Sequence, residues 1–466
     1  MKAVGRFETL AGVALLSLAA AIAGIVLLGT ARPLAVVDSN PRPRAAEVSV
    51  ETQLTVTFSR PVDEASVRAA LSVAPRTEGL VSAAGRRAAF TPKGGLLADT
   101  DYTVTLGAAV RDRTGRSLRE PVVIRFRTRG QRLVVKTRDA RLLRTTLAGA
   151  SEPLAGPGVG DFAVSGTGDI AYALPAEGTM VVRPAGSGPA RRIGLPRKPA
   201  RFGAVGSVVE IRELEWAPDG SAIGFIGATG DGASLVYLVR LAQATPTLEP
   251  VSAPPDVAPH SARPIPTALL SVLTGIVYGR DTFAFTPDAR GAVVRERNWE
   301  YVVQGFDGEQ RGVFGPFLAV GNASPRGRMV AFVDLDPADR DRRRVVAYER
   351  AGRLRAVSAP DRDSHSPRFA HRRDRVAFLA ALPGGSAPPR YAVEMADLEN
   401  GVQRRLTSPG PGESDESPRW SLDDSWISFR RVPVDAPERA EVWLVPADGG
   451  AARRLPVACV DARWSP

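Results

Sequence analysis

The sequence predicts an all-β chain: an N-terminal transmembrane helix, a β-sandwich, then a β-propeller of six blades, with seven as the alternative. Three observations carry this. A local hairpin pattern recurs six times through the second two-thirds of the chain. Short runs of period two fill the region before it. An uncharged stretch of 20 residues, Leu10 to Gly29, lies near the start.

The hairpin is anchored at Ser165, Ala217, Thr286, Ser324, Ala370 and Ser421. Most anchors lead into a polar turn, Pro218-Asp219-Gly220 being the fullest, where Pro fixes φ and Asp and Gly accept turn geometry. A second strand follows, with an aromatic after a small residue in Gly224-Phe225, Ala331-Phe332, Ala377-Phe378 and Ser428-Phe429. Third apolar runs come later, such as Val345-Val346-Ala347 and Trp443-Leu444-Val445, and basic segments such as Arg404-Arg405-Leu406 close most units. Irregular anchor spacing with a constant hairpin is how repeated sheets with loop insertions behave. Four short antiparallel strands repeated radially describe a propeller, and the spacing lacks the three-and-four periodicity of a helical solenoid.

Segments such as Glu215-Trp216-Ala217-Pro218-Asp219-Gly220, and the pair Ser366-Pro367-Arg368-Phe369-Ala370 and Ser417-Pro418-Arg419-Trp420-Ser421, resemble the repeats of TolB-type propellers. The resemblance covers residues 131–466. The α/β N-terminal domain of TolB has no counterpart here, so its specific partners are not carried over. Arg132–Thr137 and Leu142–Leu147 read as orphan strands before the first unit, and Val460–Trp464 as a lone strand after the last. An unclosed ring would expose sheet edges, so these end segments are expected side by side in one sheet.

Residues 36–129 form a separate β unit of about seven short strands, expected to be a sandwich. Leu54–Phe58, Tyr102–Leu106 and Val122–Phe126 alternate with period two. The unit resembles bacterial Ig-like domains of surface and envelope proteins. The residues that carry the match are Phe58-Ser59-Arg60-Pro61-Val62-Asp63, Phe90-Thr91-Pro92, Thr100-Asp101-Tyr102-Thr103-Val104, Asp112-Arg113-Thr114-Gly115 and Phe126-Arg127-Thr128. The resemblance implies a spacer or adhesive module.

Residues 1–32 are expected to be a retained signal anchor. Twenty apolar residues at about 1.5 Å rise span roughly a 30 Å hydrocarbon core, and Lys2 and Arg6 before them place the N-terminus inside and the rest outside. The alternative is a cleaved signal peptide, with Gly29-Thr30-Ala31 as the cleavage site. The Pro-rich stretch Pro250–Thr282 reads as an extended loop leading into an apolar strand at Leu269–Tyr278.

Net charge is +11, but the basic residues are spread among acidic ones and lack the stripe a nucleic-acid binder needs. The runs Arg340–Arg344 and Arg372, Arg373, Arg375 are weighed as anion sites and read as solvated loop faces. The single Cys459 permits no internal disulfide and reads as a buried apolar residue.

No catalytic, cofactor-binding or metal residue is assigned. The pattern Gly-x-Ser-x-Gly of a hydrolase elbow is absent. The three histidines, His260, His365 and His371, read as structural or solvated. Glu413, Asp415, Glu416, Asp423 and Asp424 could hold calcium in loops but are better explained by turn chemistry. Gly156-Pro157-Gly158-Val159-Gly160 lacks the Lys-Ser/Thr of a phosphate loop, and Asp336, Asp339 and Asp341 lack a helix–loop–helix setting. The functional expectation is a membrane-anchored, extracytoplasmic binding or scaffold protein without catalysis or cofactor. Its partner would be a protein or cell-wall component met through one propeller face, with no nucleic acid. The alternative is a propeller hydrolase or lyase acting on envelope glycans or peptides.

Overall fold

Two units partition the chain, Met1–Arg129 and Gly130–Pro466. The computed structural model describes residues 11–21 and 33–466, apart from 51, 94, 187, 196–207, 230–233, 242–247, 251–282, 287, 296–299, 307–308, 326, 350–351 and 385–387. Residues 11–21 are helical. No helix among the described residues is long and apolar enough to cross a membrane, and the remainder of the expected anchor, 1–10 and 22–32, lies outside them. So do most of the expected loop at 250–282, the strand expected at 269–278 and His260.

In the first unit, strands Val36–Asn40, Leu54–Phe58, Arg87–Pro92 and Gly79–Ala84 form one sheet in that order, and Leu71–Ala74, Asp101–Leu106 and Val122–Arg127 form the other. Alternation decides the faces. Tyr102, Val104 and Leu106 are buried while Thr103 and Thr105 are half-exposed, and one core with Phe58, Phe90, Ile124 and Phe126 serves both sheets. One element departs from the expected strands: a short helix, Glu64–Ala70, follows Asp63, whose carboxylate accepts from the Ser66 N–H at 2.8 Å as its N-cap.

The second unit holds seven four-stranded antiparallel sheets among the described residues, one more than the six expected. Six belong to the six anchors. The seventh joins both ends of the domain, in the order Ser151–Ala155, Leu142–Thr146, Arg132–Lys136, Asp461–Ser465. The last strand pairs antiparallel with Arg132–Lys136, Trp464 opposite Leu133, as edge avoidance requires. Seven was the alternative count, and the outer strand Ser151–Ala155 carries no periodic signal for it: Ser151, Glu152 and Pro153 are exposed, and the strand shows no apolar alternation.

Every anchor makes one turn. The N–H of Ala217 donates to the Ala222 carbonyl and that of Gly220 to the Ala217 carbonyl, and the same pair of bonds recurs at Ser165, Thr286, Ser324 and Ser421. Ala370 keeps the closing bond to Arg375. The sheets are joined by seven apolar clusters, one at each interface between neighbours. Phe225 and Ile223 face Ala171 and Met180 between first and second sheets. Phe283 and Phe285 meet Ile226 and Val236 between second and third, and Phe332 meets Tyr301 between third and fourth. Phe369 packs on Val345, Trp420 on Leu379 and Trp464 on Leu444 at the next three. Phe162 packs on Val134 where the seventh meets the first. The chain of contacts closes on itself, so the sheets form a ring.

Candidate binding site at the ring axis

The inner edge of the ring is fixed by which strands touch between sheets. Phe162–Val164 lies against Val208–Trp216 and against Asp461–Ser465. Phe283–Phe285, Ala319–Ala323, Ser364–Phe369, Glu413–Trp420 and Asp461–Ser465 follow one another in the same way. These seven strands surround the axis. Each ends near the anchor residue, and the position two before the anchor is occupied by Ala163, Glu215, Ala284, Asn322, Arg368 and Arg419 in the first to sixth sheets. Arg463, before Trp464 and Ser465, takes that place in the seventh.

Hydrogen bonds confirm the equivalence. The Trp216 indole N–H donates to the Ala163 carbonyl at 3.4 Å, that of Trp420 to Arg368 at 2.9 Å and that of Trp464 to Arg419 at 3.1 Å. Each aromatic thus clamps the axial residue of the sheet before it. Asn322 works the other way, as an axial residue whose amide holds the next sheet, accepting from the Phe369 N–H at 2.5 Å and donating to the Phe369 carbonyl at 3.2 Å. Upstream, Glu213, Ser366 and Ser417 hold φ of 49°, 55° and 52°, and the ladder slips between Arg212 and Glu215, His365 and Arg368, and Glu416 and Arg419. These bulges re-aim the following residue, a common use of a bulge. Trp420 and Trp464 are buried as their position implies, whereas Trp216 is only half-buried.

The axis carries charge. Arg368 of the fifth sheet pairs with Glu215 of the second at 3.0 Å, so this ion pair reaches across the ring. Arg463 binds Asp461 at 2.6 Å and Asp161, from the first sheet's entry, at 3.4 Å, with its guanidinium 4.9 Å from the centre of the Phe162 ring. Asp161 also accepts from the Leu214 N–H at 2.9 Å. Burial works against the charge of Arg463, yet Asp461 and Asp161 hold its pKa above the ordinary value, and Arg463 and Arg419 hold Asp461 below its own.

Arg419 sits between these two pairs and differs from both. Its Nε is shut off from solvent and has no acceptor among the described residues, and the side chain as a whole is half-buried. Burial, then repulsion from Arg463 and Arg368, lowers its pKa to about 10, with Asp461 and Glu215 offsetting part of the effect. It stays charged near neutral pH. It is the one axial arginine without an ion pair among the described residues.

The residues singled out in the sequence fall elsewhere and are engaged. Asp415, fully buried, binds Arg431 at 2.8 Å and accepts from the Thr407 hydroxyl at 2.5 Å, and Arg431 lies 4.6 Å from the centre of the Trp443 ring. Glu413 accepts from the Gly410 N–H and Glu416 pairs with Arg430 at 3.3 Å. Asp423 accepts from both Ser421 and Ser425 hydroxyls, while Asp424 takes the N–H groups of His371, Arg372 and Arg373 from the neighbouring sheet. Burial nonetheless holds the Asp424 carboxyl above the ordinary range. The two basic runs are largely paired rather than solvated: Arg342, Arg343 and Arg344 to Asp339, Asp363 and Asp334, and Arg375 to Asp397 and Asp448. Asp336 accepts from the Ala338 N–H and Asp341 donates its own N–H to Asp339, both as turn bonds. In the glycine-rich stretch, the Gly160 carbonyl accepts from Lys136 Nζ at 2.6 Å. No group of three His, Cys, Asp or Glu gathers as a metal would need among the described residues.

His365 Nδ1 lies 2.8 Å from the Ser366 hydroxyl, with Tyr391 edge-on at 4.5 Å between ring centres. The hydroxyl of Tyr391 donates to Asp363, which also takes Arg343 at 2.5 Å. Cys459 is buried, and burial pushes its thiol up to about 12, as suits an apolar filler.

Residues 30–128 match the bacterial Ig-like domain family. No curated protein matches the sequence. Among solved structures, TolB from Acinetobacter baumannii is 12% identical, covering 93% of this chain and 99% of its own, with a TM-score of 0.39. The β-propeller domain of the Trilobed protease from Pyrococcus furiosus is 10% identical over 78% of this chain and 94% of its own, at 0.46. A catalytically inactive virginiamycin B lyase from Staphylococcus aureus is 12% identical over 66% and 87%, at 0.41. The ring described above rests on its own strand pairing.

The axial arginines were within reach of the sequence. Arg368 and Arg419 occupy the third place of the repeated Ser-Pro-Arg segments, and Arg463 precedes the last Trp. Their meeting became visible only once the C-terminal strand took its place at the inner edge.

Proposed function

We propose that the chain is a membrane-anchored, extracytoplasmic binding or scaffold protein that presents a seven-bladed propeller to a protein or cell-envelope partner and performs no chemistry on it. The supporting observation is the axis itself. Seven separate sheets deliver one residue each to a shared ring, and the Arg419 Nε has no acceptor among the described residues. Grouped residues from many strands on a rigid scaffold are a binding arrangement. The carboxylates singled out in the sequence are engaged in ion pairs and turns among the described residues, and His365 contacts a serine that is its own sequence neighbour. The Ig-like unit, which precedes the ring in sequence, fits a spacer or adhesive module.

Crosslinking and affinity capture with the whole chain from envelope extracts test this reading. A partner that is lost when loop residues of one face are substituted, with the fold kept, supports it. Turnover of peptide or glycan substrates, abolished by one carboxylate substitution, would give the case to a propeller hydrolase or lyase. Orientation is read separately by protease access to intact cells, and retention of the anchor by sequencing the mature N-terminus. A chain beginning at Arg32 would remove the anchor.

A further inference from the structure

We propose that the ring axis is a carboxylate-binding site, in which the Arg419 guanidinium receives one monoanionic carboxylate. The inference rests on the binding reading above and names its ligand chemistry. It starts from three equivalent arginines with different fates. Arg368 has Glu215 at 3.0 Å, and Arg463 has Asp461 at 2.6 Å and Asp161 at 3.4 Å. Arg419 lies between them in ring order with no ion pair among the described residues. A cation withdrawn from water without a partner is costly, more so beside two other cations. Glu215, Asp461 and Asp161 equal the three arginines in number, but none of them lies within ion-pair distance of Arg419 among the described residues, so its guanidinium is open to an acceptor from outside.

The neighbours select the anion. Arg368 and Arg463 already spend their charge on carboxylates, which leaves one planar fork, and that fork matches one carboxylate through two parallel N–H bonds. A phosphate dianion would bring a second negative charge toward Glu215 and Asp461, both close enough to act on Arg419. The site therefore favours a single negative charge on a planar group. Its geometry is set in advance. The Arg419 carbonyl is held by the Trp464 indole, Pro418 is buried before it, and the bulge at Ser417 aims the side chain inward. Preorganisation of this kind lowers the cost of binding. The carboxylate could be a small acid or a group on a polypeptide, and the two differ in what else they touch.

Titration of the whole chain at constant ionic strength, followed by calorimetry, distinguishes these cases. The probes are acetate, a glutamate blocked at both ends, a neutral-backbone octapeptide with one central Glu, and inorganic phosphate. Acetate or blocked glutamate should bind at least tenfold more tightly than phosphate. Arg419→Gln should weaken that binding at least tenfold while circular dichroism stays unchanged. Arg419→Lys should fall between, because a point charge cannot form the fork. Arg430→Gln, an arginine paired with Glu416, should bind as the parent does. An octapeptide tighter than acetate assigns the site to a polypeptide, and equal affinities assign it to a small acid. Phosphate on a par with acetate, undiminished binding in Arg419→Gln, or no binding of any probe in the millimolar range would overturn the inference. Should Arg419→Gln misfold, Arg419→Met, which keeps the apolar stem, carries the same test. Partner capture that survives Arg419→Gln leaves the scaffold reading intact while removing the axial ligand. Carboxylate binding without any captured partner does the reverse.

Discussion

The two units spend their polar groups differently. In the Ig-like unit one apolar core serves both sheets, and Oδ1 of the buried Asp112 is taken up by a turn, accepting from the Thr114 N–H and hydroxyl and the Arg116 N–H at 2.7–2.9 Å. In the ring, each sheet interface has its own core, and charged side chains converge where the inner strands meet. The sandwich closes over a single apolar core. The ring needs closure of its strands and compensation of its axis, and that second requirement is where function can be written.

The sharpest way to break this comparison is to open the ring. Removing residues 461–466 takes away the inner strand of the seventh sheet, exposes the edge of Arg132–Lys136 and uncovers the cluster around Leu133, Leu444 and Cys459. We expect aggregation or loss of the ring's unfolding transition by scanning calorimetry, with the transition of the Ig-like unit unchanged. A monomeric truncation of parental stability would show that the shared sheet does not hold the ring together.

Smaller cavities test whether the interfaces are equal. Trp420→Ala removes a side chain that is 3% exposed, along with the indole bond to Arg368, and should cost about 3–5 kcal/mol. Phe58→Ala in the sandwich should cost a similar amount but shift the other transition. A loss of only a few tenths at Trp420 in denaturant titration would mean that the interface repacks.

Much of this was legible beforehand, and the reasons are local. The anchors were readable because turn chemistry is written in Pro, Asp and Gly, as in Pro218-Asp219-Gly220, where Ser221 closes on the Asp219 carboxylate. The third strands were readable because strands buried on both faces carry continuous apolar runs, as at Val345-Val346-Ala347. Two features were not. Ser151–Ala155 is an outer strand whose first three residues face solvent, so no periodicity marks it. The axial arginines align across sheets by their place in a ring, and linear sequence does not display which strand of a repeat lies innermost.

Acid sensitivity sharpens the contrast between paired and unpaired charge. Burial opposes ionisation of Asp363, but Arg343 overrides it and holds the carboxyl below its ordinary value of 3.8. A carboxylate with a lowered folded pKa contributes stability above the unfolded value, and that stability is lost as pH falls through the folded one. The ring transition of the parent should therefore weaken below about pH 4 by more than that of Asp363→Asn, measured in denaturant at stepped pH. Equal acid slopes in the two proteins would show that the Arg343 pair adds nothing. Asp112, also held low by the turn N–H groups despite burial, should produce the same acid loss in the sandwich transition.

The smallest expected change separates two equivalent axial residues. Arg463→Gln leaves Asp461 and Asp161 without their cation at a site where Arg463 is 11% exposed, and breaking such a pair costs about 3–5 kcal/mol. Arg419→Gln breaks no ion pair among the described residues and removes the repulsion that Arg419 exerts on Arg463 and Arg368. Its effect should lie within about 1 kcal/mol of zero and lean toward stabilisation. Added acetate should then raise the melting temperature of the parent but not of Arg419→Gln, because a ligand stabilises only the fold that binds it. If Arg419→Gln destabilised the ring as much as Arg463→Gln does, Arg419 would be a structural cation whose partner lies within the protein, and the axis would hold no vacancy for an incoming acid.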